Sequence, residues 1–254
     1  MTSYEETESF MTSYEDIFQA RGSSYDRAMR SYPNARDEEF QQLVLKADLS
    51  PGDRVADIPA GGGYLKHYLP ADCHWLGHEP CATFSKLPST HAGQSQQLLP
   101  LPWADETIDV AVSLAGVHHL NDKRPLFREI LKTLKPGGKF VLSDVLEGSA
   151  VAHFLDDFVG KYNSTGHDSI YLNEDTLTTL EESGWNVANA QAVDFNWGFA
   201  SIEEMELFCA SLFGLRGLKK GDIFQAVDTI LSVTELPDGR IGMSWSLFTI
   251  LSKR

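Results

Sequence analysis

The sequence predicts an α/β fold: a seven-stranded, mostly parallel sheet with helices packed on both faces. Three observations carry that expectation. Arg54-Val55-Ala56-Asp57-Ile58 is a short apolar run that passes into Pro59-Ala60-Gly61-Gly62-Gly63 and then into a helical pattern of Tyr64, Leu65, Tyr68 and Leu69. A buried strand, a tight turn and a helix start read this way. Short apolar runs then alternate with amphipathic helical patterns as far as Asp144, as parallel crossovers require. Lys135-Pro136-Gly137-Gly138 closes one such helix, and a further strand comes directly after it.

Residues 1–12 contain a near-repeat of Met1-Thr2-Ser3-Tyr4-Glu5 at Met11-Thr12-Ser13-Tyr14-Glu15. It is too short for a structural repeat and is expected to be a poorly ordered extension. Residues 13–254 are expected to form one domain, since no Pro/Gly/Ser-rich linker divides them. Two helical patterns occupy 14–47; the second has acids early (Asp37, Glu38, Glu39) and Lys46 late, as a helix dipole prefers. Strands are expected at 54–58 and 73–77, with a helix between them that runs to about Leu69 and stops at Pro70. A third strand falls within 92–98. Ile108, Val110, Val112 and Leu114 alternate as a fourth, and Leu126, Phe127, Ile130, Leu131 and Leu134 form one helical face before a fifth strand at 139–144. Helices are expected at 151–159 and 174–183, and last strands at 185–194 and 241–252. A helical insertion at 196–240, with patterns at 202–213 and 222–233, separates those two strands.

Composition excludes several classes of function. A net charge of −15 over 254 residues opposes nucleic acid and anionic membrane surfaces. No apolar run approaches the ~18 residues of a membrane span. Glu5, Glu6 and Glu8 stand where a secretory signal needs positive charge. Cys73, Cys81 and Cys209 are scattered and odd in number, so they suggest neither a disulfide framework nor a cysteine metal site, and no metal is expected. A cytoplasmic protein is the expectation, with the oligomeric state left open.

Ligands of such sheets sit beyond the C-terminal strand ends. Asp57, Glu79, His118 and Asp144 fall at or near that edge. Glu79 lies 22 positions after Asp57, close to the ~20 expected of an acid that accepts hydrogen bonds from two ribose hydroxyls. A solvated loop acid is the alternative for Glu79. The glycine run lacks a Gly-x-Gly-x-x-Gly pyrophosphate fingerprint, because the sixth position from Gly61 is Lys66. A cofactor with ribose and adenine but no phosphate suits it better.

Taken together, Asp57 to Gly63, Glu79, the segment Leu101-Pro102-Trp103 to Asp109-Val110, His118-His119-Leu120 and Leu134-Lys135-Pro136-Gly137-Gly138 resemble class I S-adenosylmethionine-dependent methyltransferases. The likeness is to the broad branch with ubiquinone and menaquinone methyltransferases. It is carried by about residues 50–145, and Gly166-His167 ahead of the 174–184 helix is also similar. The resemblance implies a Rossmann-like sheet with a cofactor-binding core at 48–145 and an acceptor-side cap at 13–47, 146–172 and 196–240. It implies S-adenosylmethionine as cofactor and S-adenosylhomocysteine as product. Asp57 and the backbone of Ala60, Gly61 and Gly63 would hold the methionine part. Glu79 would take the ribose, with Pro80 beside the adenine and Gln97 and Leu98 at its edge. Leu114 and Ala115 would floor the sulfonium, and Tyr25 would close over the cofactor. Two departures stand out: Pro59 replaces the family's usual first glycine, and Gln97 (or Gln96) replaces a common acid.

Methyl transfer is an in-line displacement that positioning alone accelerates strongly, by on the order of 7–11 kcal/mol. A base contributes ~10²–10⁴-fold, and only when the acceptor must lose a proton. His118 and His119, just after the fourth strand, are the candidate bases; loop capping or packing is their alternative role. Tyr162, His167 and Trp197 are the candidate acceptor-binding residues, in a cap rich in aromatics. These suit a small or medium-sized organic acceptor with an apolar or aromatic part. A non-catalytic S-adenosyl-ligand-binding protein and a nicotinamide-dependent oxidoreductase are the alternatives.

Overall fold

A computed structural model of the chain describes residues 14–84, 97–163, 166–167 and 169–254. The expected extension at 1–12 and positions 92–96 of the expected third strand lie outside the described residues; residues 97–98 are not in a strand. The chain runs through α1 (Tyr14–Ser31), α2 (Asp37–Ala47), β1 (Arg54–Asp57), β2 (His74–Gly77), β3 (Ile108–Leu114), α3 (Arg124–Thr133) and β4 (Leu134–Asp144). The next helix comes in three parts: α4 (Ala150–His153), a π-helical stretch (Phe154–Val159) and α5 (Gly160–Tyr162). Then come α6 (Glu174–Glu182), β5 (Asn186–Phe199), α7 (Ile202–Leu212), α8 (Asp222–Ile230), β6 (Val233–Glu235) and β7 (Ile241–Lys253).

The described strands form a seven-stranded sheet in the order β2-β1-β3-β4-β7-β5, with β6 against β7. Strands β1 to β4 pair in parallel, and the pairs made by β7 are antiparallel. β1 and β3 are short, nearly all-buried runs, as parallel strands covered on both faces must be. Alternate residues feed opposite layers. Val55, Val110 and Val141 face a core shared with α2 and α7, whereas Ala56, Ala111 and Phe140 face one shared with α3 and α6.

The structure corrects three expectations from the sequence. The helix after the glycine turn is a single 3-10 turn, Tyr64–His67. The stretch from Gly63 to the helix-breaking Pro70 is too short to nucleate a stable α-helix, and Tyr64 and Tyr68 direct their hydroxyls to Asp26 and Asp37. The second insertion helix stops at Ile230, short of its expected end at Val233, which instead opens a strand, β6, paired with β7. β5 continues to Phe199, so Trp197 stands on the sheet and not in the insertion.

α2 is fixed to β5 by a buried ion pair. Arg36 and Glu39, both nearly inaccessible, meet through two hydrogen bonds of 2.6 Å, and the Trp197 indole N–H donates to Glu39 at 2.7 Å. Burial alone would lower the Arg36 pKa, but Glu39 and Tyr25 outweigh it and raise it. Removing one member leaves the other charge buried and unpaired. Glu39→Ala is expected to lower stability by about 3–5 kcal/mol, read as an earlier midpoint in urea unfolding.

Candidate active site

β1 lies between β2 and β3, and the chain continues the sheet on the far side of β3 with β4. That reversal of direction opens a crevice beyond the strand ends, and Asp57 and Leu114 are the last residues of β1 and β3. A cavity lies there, lined by Asp57, Ala60, Gly61, Leu114 and Ala115, with Tyr25 leaning in from α1. Six of the residues expected at the cofactor thus share one wall.

Gly61 has φ +53°, a left-handed conformation that glycine adopts without penalty. It turns its N–H onto Glu79 Oε2 at 2.8 Å. Tyr14 donates its hydroxyl to the same oxygen at 2.8 Å, and Cys81 N–H donates to Oε1 at 2.8 Å. Burial raises the Glu79 pKa, and these donors oppose the rise. Asp57 is almost inaccessible. Burial lifts its carboxyl to about 7, against the Trp75 indole N–H at 3.1 Å, and Glu79 adds repulsion. Pro59, unexpected in the sequence, belongs to the same wall. Its ring lies 2.7 Å from where a Cβ on residue 116 would stand, so the proline fits because Gly116 faces it.

The other expected cofactor residues are placed differently. Gly63 caps the 3-10 turn with φ +75°, and Pro80 is buried beside Glu79; neither lines the cavity. Gln97 is exposed. Leu98 is buried in the core under α3 and accepts from the His78 ring through its carbonyl at 2.9 Å.

A second cavity adjoins the first, and Phe18, Tyr25, Arg36 and Ala115 line both. His118, His119, His167 and Trp197 line the second. Tyr162 does not; it packs on Phe158 with ring centres 5.2 Å apart. One wall is a set of near-parallel rings, with Trp197 on Trp245 at 4.2 Å and Phe213 beyond.

The histidines differ sharply in their settings. Asp144, fully buried at the end of β4, accepts from the backbone N–H groups of Val117, His118 and Val145 and from His118 Nδ1 at 2.6 Å. Burial alone would raise the Asp144 pKa; His118 beside it and these hydrogen bonds hold it below the usual range. An ionised Asp144 fixes the proton of His118 on Nδ1 and leaves Nε2 as an acceptor. His119 is pulled well below the ordinary imidazole value by burial, then by His118, His167 and Arg21, and its Nδ1 has no partner. His167 is lowered by burial, with Asp156 opposing. Nitrogens of the three rings lie within 4.8 Å of one another, a spacing that could also hold a metal ion. Arg21 lines the same cavity and opposes a positive charge on His119 and His167.

Asp144, which the sequence placed at the ligand edge without a role, and Arg21, which it did not single out, are also found at this site. Asp144 had a signal, as an acid ending a buried strand. Arg21 had none, because nothing local separates it from any surface arginine.

Tyr14 and the Gly61 N–H both donate to Glu79 Oε2, an acceptor that the ribose contact implied by the resemblance would need. Tyr14→Phe is expected to tighten S-adenosylhomocysteine binding several-fold, up to about tenfold, as measured by calorimetry. Weaker binding in the variant would make Tyr14 a partner of the ligand and not its competitor.

The seven-stranded sheet, with a crevice at its switch point and a second cavity abutting it, has the Rossmann-like fold of methyltransferases of known structure. Residues 56–142 match the family described as "Methyltransferase domain", and the chain carries a class I S-adenosylmethionine-dependent methyltransferase domain. It is similar to a demethylmenaquinone methyltransferase of Corynebacterium urealyticum, 30% identical over 136 residues (50% of this chain and 57% of that protein). It is also similar to phosphoethanolamine N-methyltransferase 1 of Triticum aestivum, 29% identical over 180 residues (67% of this chain and 35% of that protein). The chain thus spans about half the length, or less, of these curated relatives. Among solved structures, a Haemonchus contortus phosphoethanolamine N-methyltransferase 2, in complex with phosphomonomethylethanolamine and S-adenosylhomocysteine, shares the fold. Its TM-score is 0.60 at 12% identity, covering 94% of this chain and 59% of that one. Among the described residues no helix is long and apolar enough to cross a membrane.

Proposed function

We propose that this protein transfers the methyl group of S-adenosylmethionine in line to a small or medium-sized organic acceptor with an apolar or aromatic part. The observation that carries this reading is the pair of adjoining cavities with Ala115 as common floor. One offers the Asp57 carboxyl and a small-residue turn, with Glu79 bonded behind Gly61, and the other offers aromatic walls and imidazoles. S-adenosylmethionine supplies an electrophilic methyl carbon when bound. Its ammonium suits Asp57, whose carboxyl burial lifts to about 7. Glu79 and the backbone at Gly61 face the ribose.

The chain's own part is to align, to exclude water and to move one proton. Phe18 and Tyr25, from α1, cover both cavities. Residues 14–47, 146–163, 169–172 and 200–240 make up the acceptor-side cap, with Trp197 reaching the same space from β5. His118 Nε2 takes the acceptor proton, and Asp144 stabilises the imidazolium that results. His119, held neutral, lines the path.

The test is incubation of the full chain with methyl-labelled S-adenosylmethionine and a fractionated pool of small metabolites. Label is expected in a low-molecular-mass aromatic or apolar product. S-adenosylhomocysteine binding without any label transfer would instead support a non-catalytic binding protein.

A further inference from the structure

The second cavity holds a charge imbalance. Three groups able to carry a permanent charge line it: Arg21, Arg36 and Glu39. Arg36 and Glu39 cancel each other through their two-pronged pair. His118 is balanced from behind by Asp144. Arg21 is left over. It makes no ion pair with any described carboxylate; among the described residues its hydrogen bond runs to the Leu212 carbonyl at 3.3 Å, and its Nε is buried without a partner. Burial pulls its pKa down to about 10, and Tyr25 alone opposes the fall. A guanidinium is expensive to keep in such a place unless an anion completes it.

We propose that the acceptor is a planar aromatic compound bearing one carboxylate, and that Arg21 binds this carboxylate. The inference rests on the methyltransferase reading above and names the substrate class for its second cavity. Three features select this chemistry. A guanidinium fork matches a carboxylate through two parallel hydrogen bonds. One unpaired cation balances one negative charge, whereas a phosphate monoester brings about −1.5 to −2. The rings of Trp197, Trp245 and Phe213 line the cavity and give it an aromatic wall against which an aromatic ligand can pack.

Arg21 and His118 line the same cavity, Asp144 backs His118 from behind, and no hydrogen bond joins Arg21 to either. The carboxylate would be gripped by α1, while the atom to be methylated faces His118 and Ala115. Arg21 is therefore a specificity residue and not a base.

The experiment uses the full chain saturated with S-adenosylhomocysteine, whose own dissociation constant is measured first by calorimetry. Quenching of tryptophan fluorescence then gives affinities for matched probes: hydroxybenzoates and hydroxycinnamates, their primary amides, and phenyl phosphate. At least one acid is expected to bind about 10–100-fold more tightly than its amide. That preference should shrink to about twofold or less in Arg21→Gln and stay intermediate in Arg21→Lys, which keeps the charge but loses the fork. Both variants should bind S-adenosylhomocysteine, since Arg21 does not line the first cavity. Equal binding of acids and amides would overturn the proposal, as would an acid preference that survives Arg21→Gln or a panel in which no acid binds. Preference for phenyl phosphate over every carboxylate would overturn the carboxylate assignment. Failure to bind S-adenosylhomocysteine at all is a separate result, and it strikes the methyltransferase reading itself.

Discussion

His118→Ala is expected to lower kcat by about 10²–10⁴-fold toward an acceptor that must lose a proton, the usual range for a positioned base. S-adenosylhomocysteine affinity should stay within about twofold, because His118 lines only the second cavity. Asp144→Asn should reproduce much of that loss without touching the acceptor. The carboxylate takes three backbone N–H groups as well as His118 Nδ1. An amide in its place cannot accept from all of them, and it ceases to stabilise the imidazolium. His119→Gln is the control. Its ring is buried and held neutral, so a loss under about tenfold is expected. Rapid-quench kinetics with labelled cofactor separates chemistry from product release. A drop of less than about threefold in His118→Ala, with the fold intact by circular dichroism, would remove proton abstraction from the mechanism and leave positioning alone.

The parts of this site that the sequence made legible are those that arrive together along the chain. Asp57, Ala60, Gly61 and Glu79 lie within one strand-turn-strand unit, where spacing and residue type report geometry directly. Leu114, Ala115 and His118 sit at the end of one strand by the same logic. Arg21 and Trp245 come from opposite ends of the chain and meet only through the sheet order, in which β7 inserts between β4 and β5. No local pattern encodes that meeting. The assignment of 196–199 to the insertion failed for a different reason. Phe195, Trp197 and Phe199 alternate with Asn196 and Gly198, which is a strand's period of two. The signal was present, but the aromatics also suited a cap. Tyr162 misled in the same way, since an aromatic on a helix face packs on its neighbours more often than it lines a ligand site. The short 3-10 turn after Gly63 shows the limit of motif order: the glycine turn formed, and Pro70 left too little chain for a full helix behind it.

Asp57→Asn is expected to make the protein more stable and less functional at once. The folded Asp57 titrates near 7, above its ordinary 3.8. A carboxyl raised in the folded state leaves stability intact at low pH and erodes it as pH climbs. Below pH 4 both states are protonated and the residue is neutral to folding. Between pH 4 and 7 the unfolded chain releases a proton that the folded chain keeps. The folded state therefore loses up to about 1.4 kcal/mol per pH unit, or about 4 kcal/mol across the window. Asparagine cannot ionise, and its amide oxygen can still accept from the Trp75 indole. Scanning calorimetry should give equal Tm values for the two proteins at pH 4 and a variant higher by at least about 5 °C at pH 8. The same substitution removes the carboxylate that we propose meets the cofactor's ammonium. S-adenosylhomocysteine binding should weaken by about 10–100-fold. Wild-type affinity should rise between pH 5.5 and 7.5, as Asp57 ionises, while that of the variant stays flat. A wild-type Tm above the variant's at pH 8, or equal affinities, would show that Asp57 is ionised and satisfied without ligand. The expected pair of results means instead that the fold holds a poorly tolerated carboxylate at the end of β1, and that a bound cation relieves it.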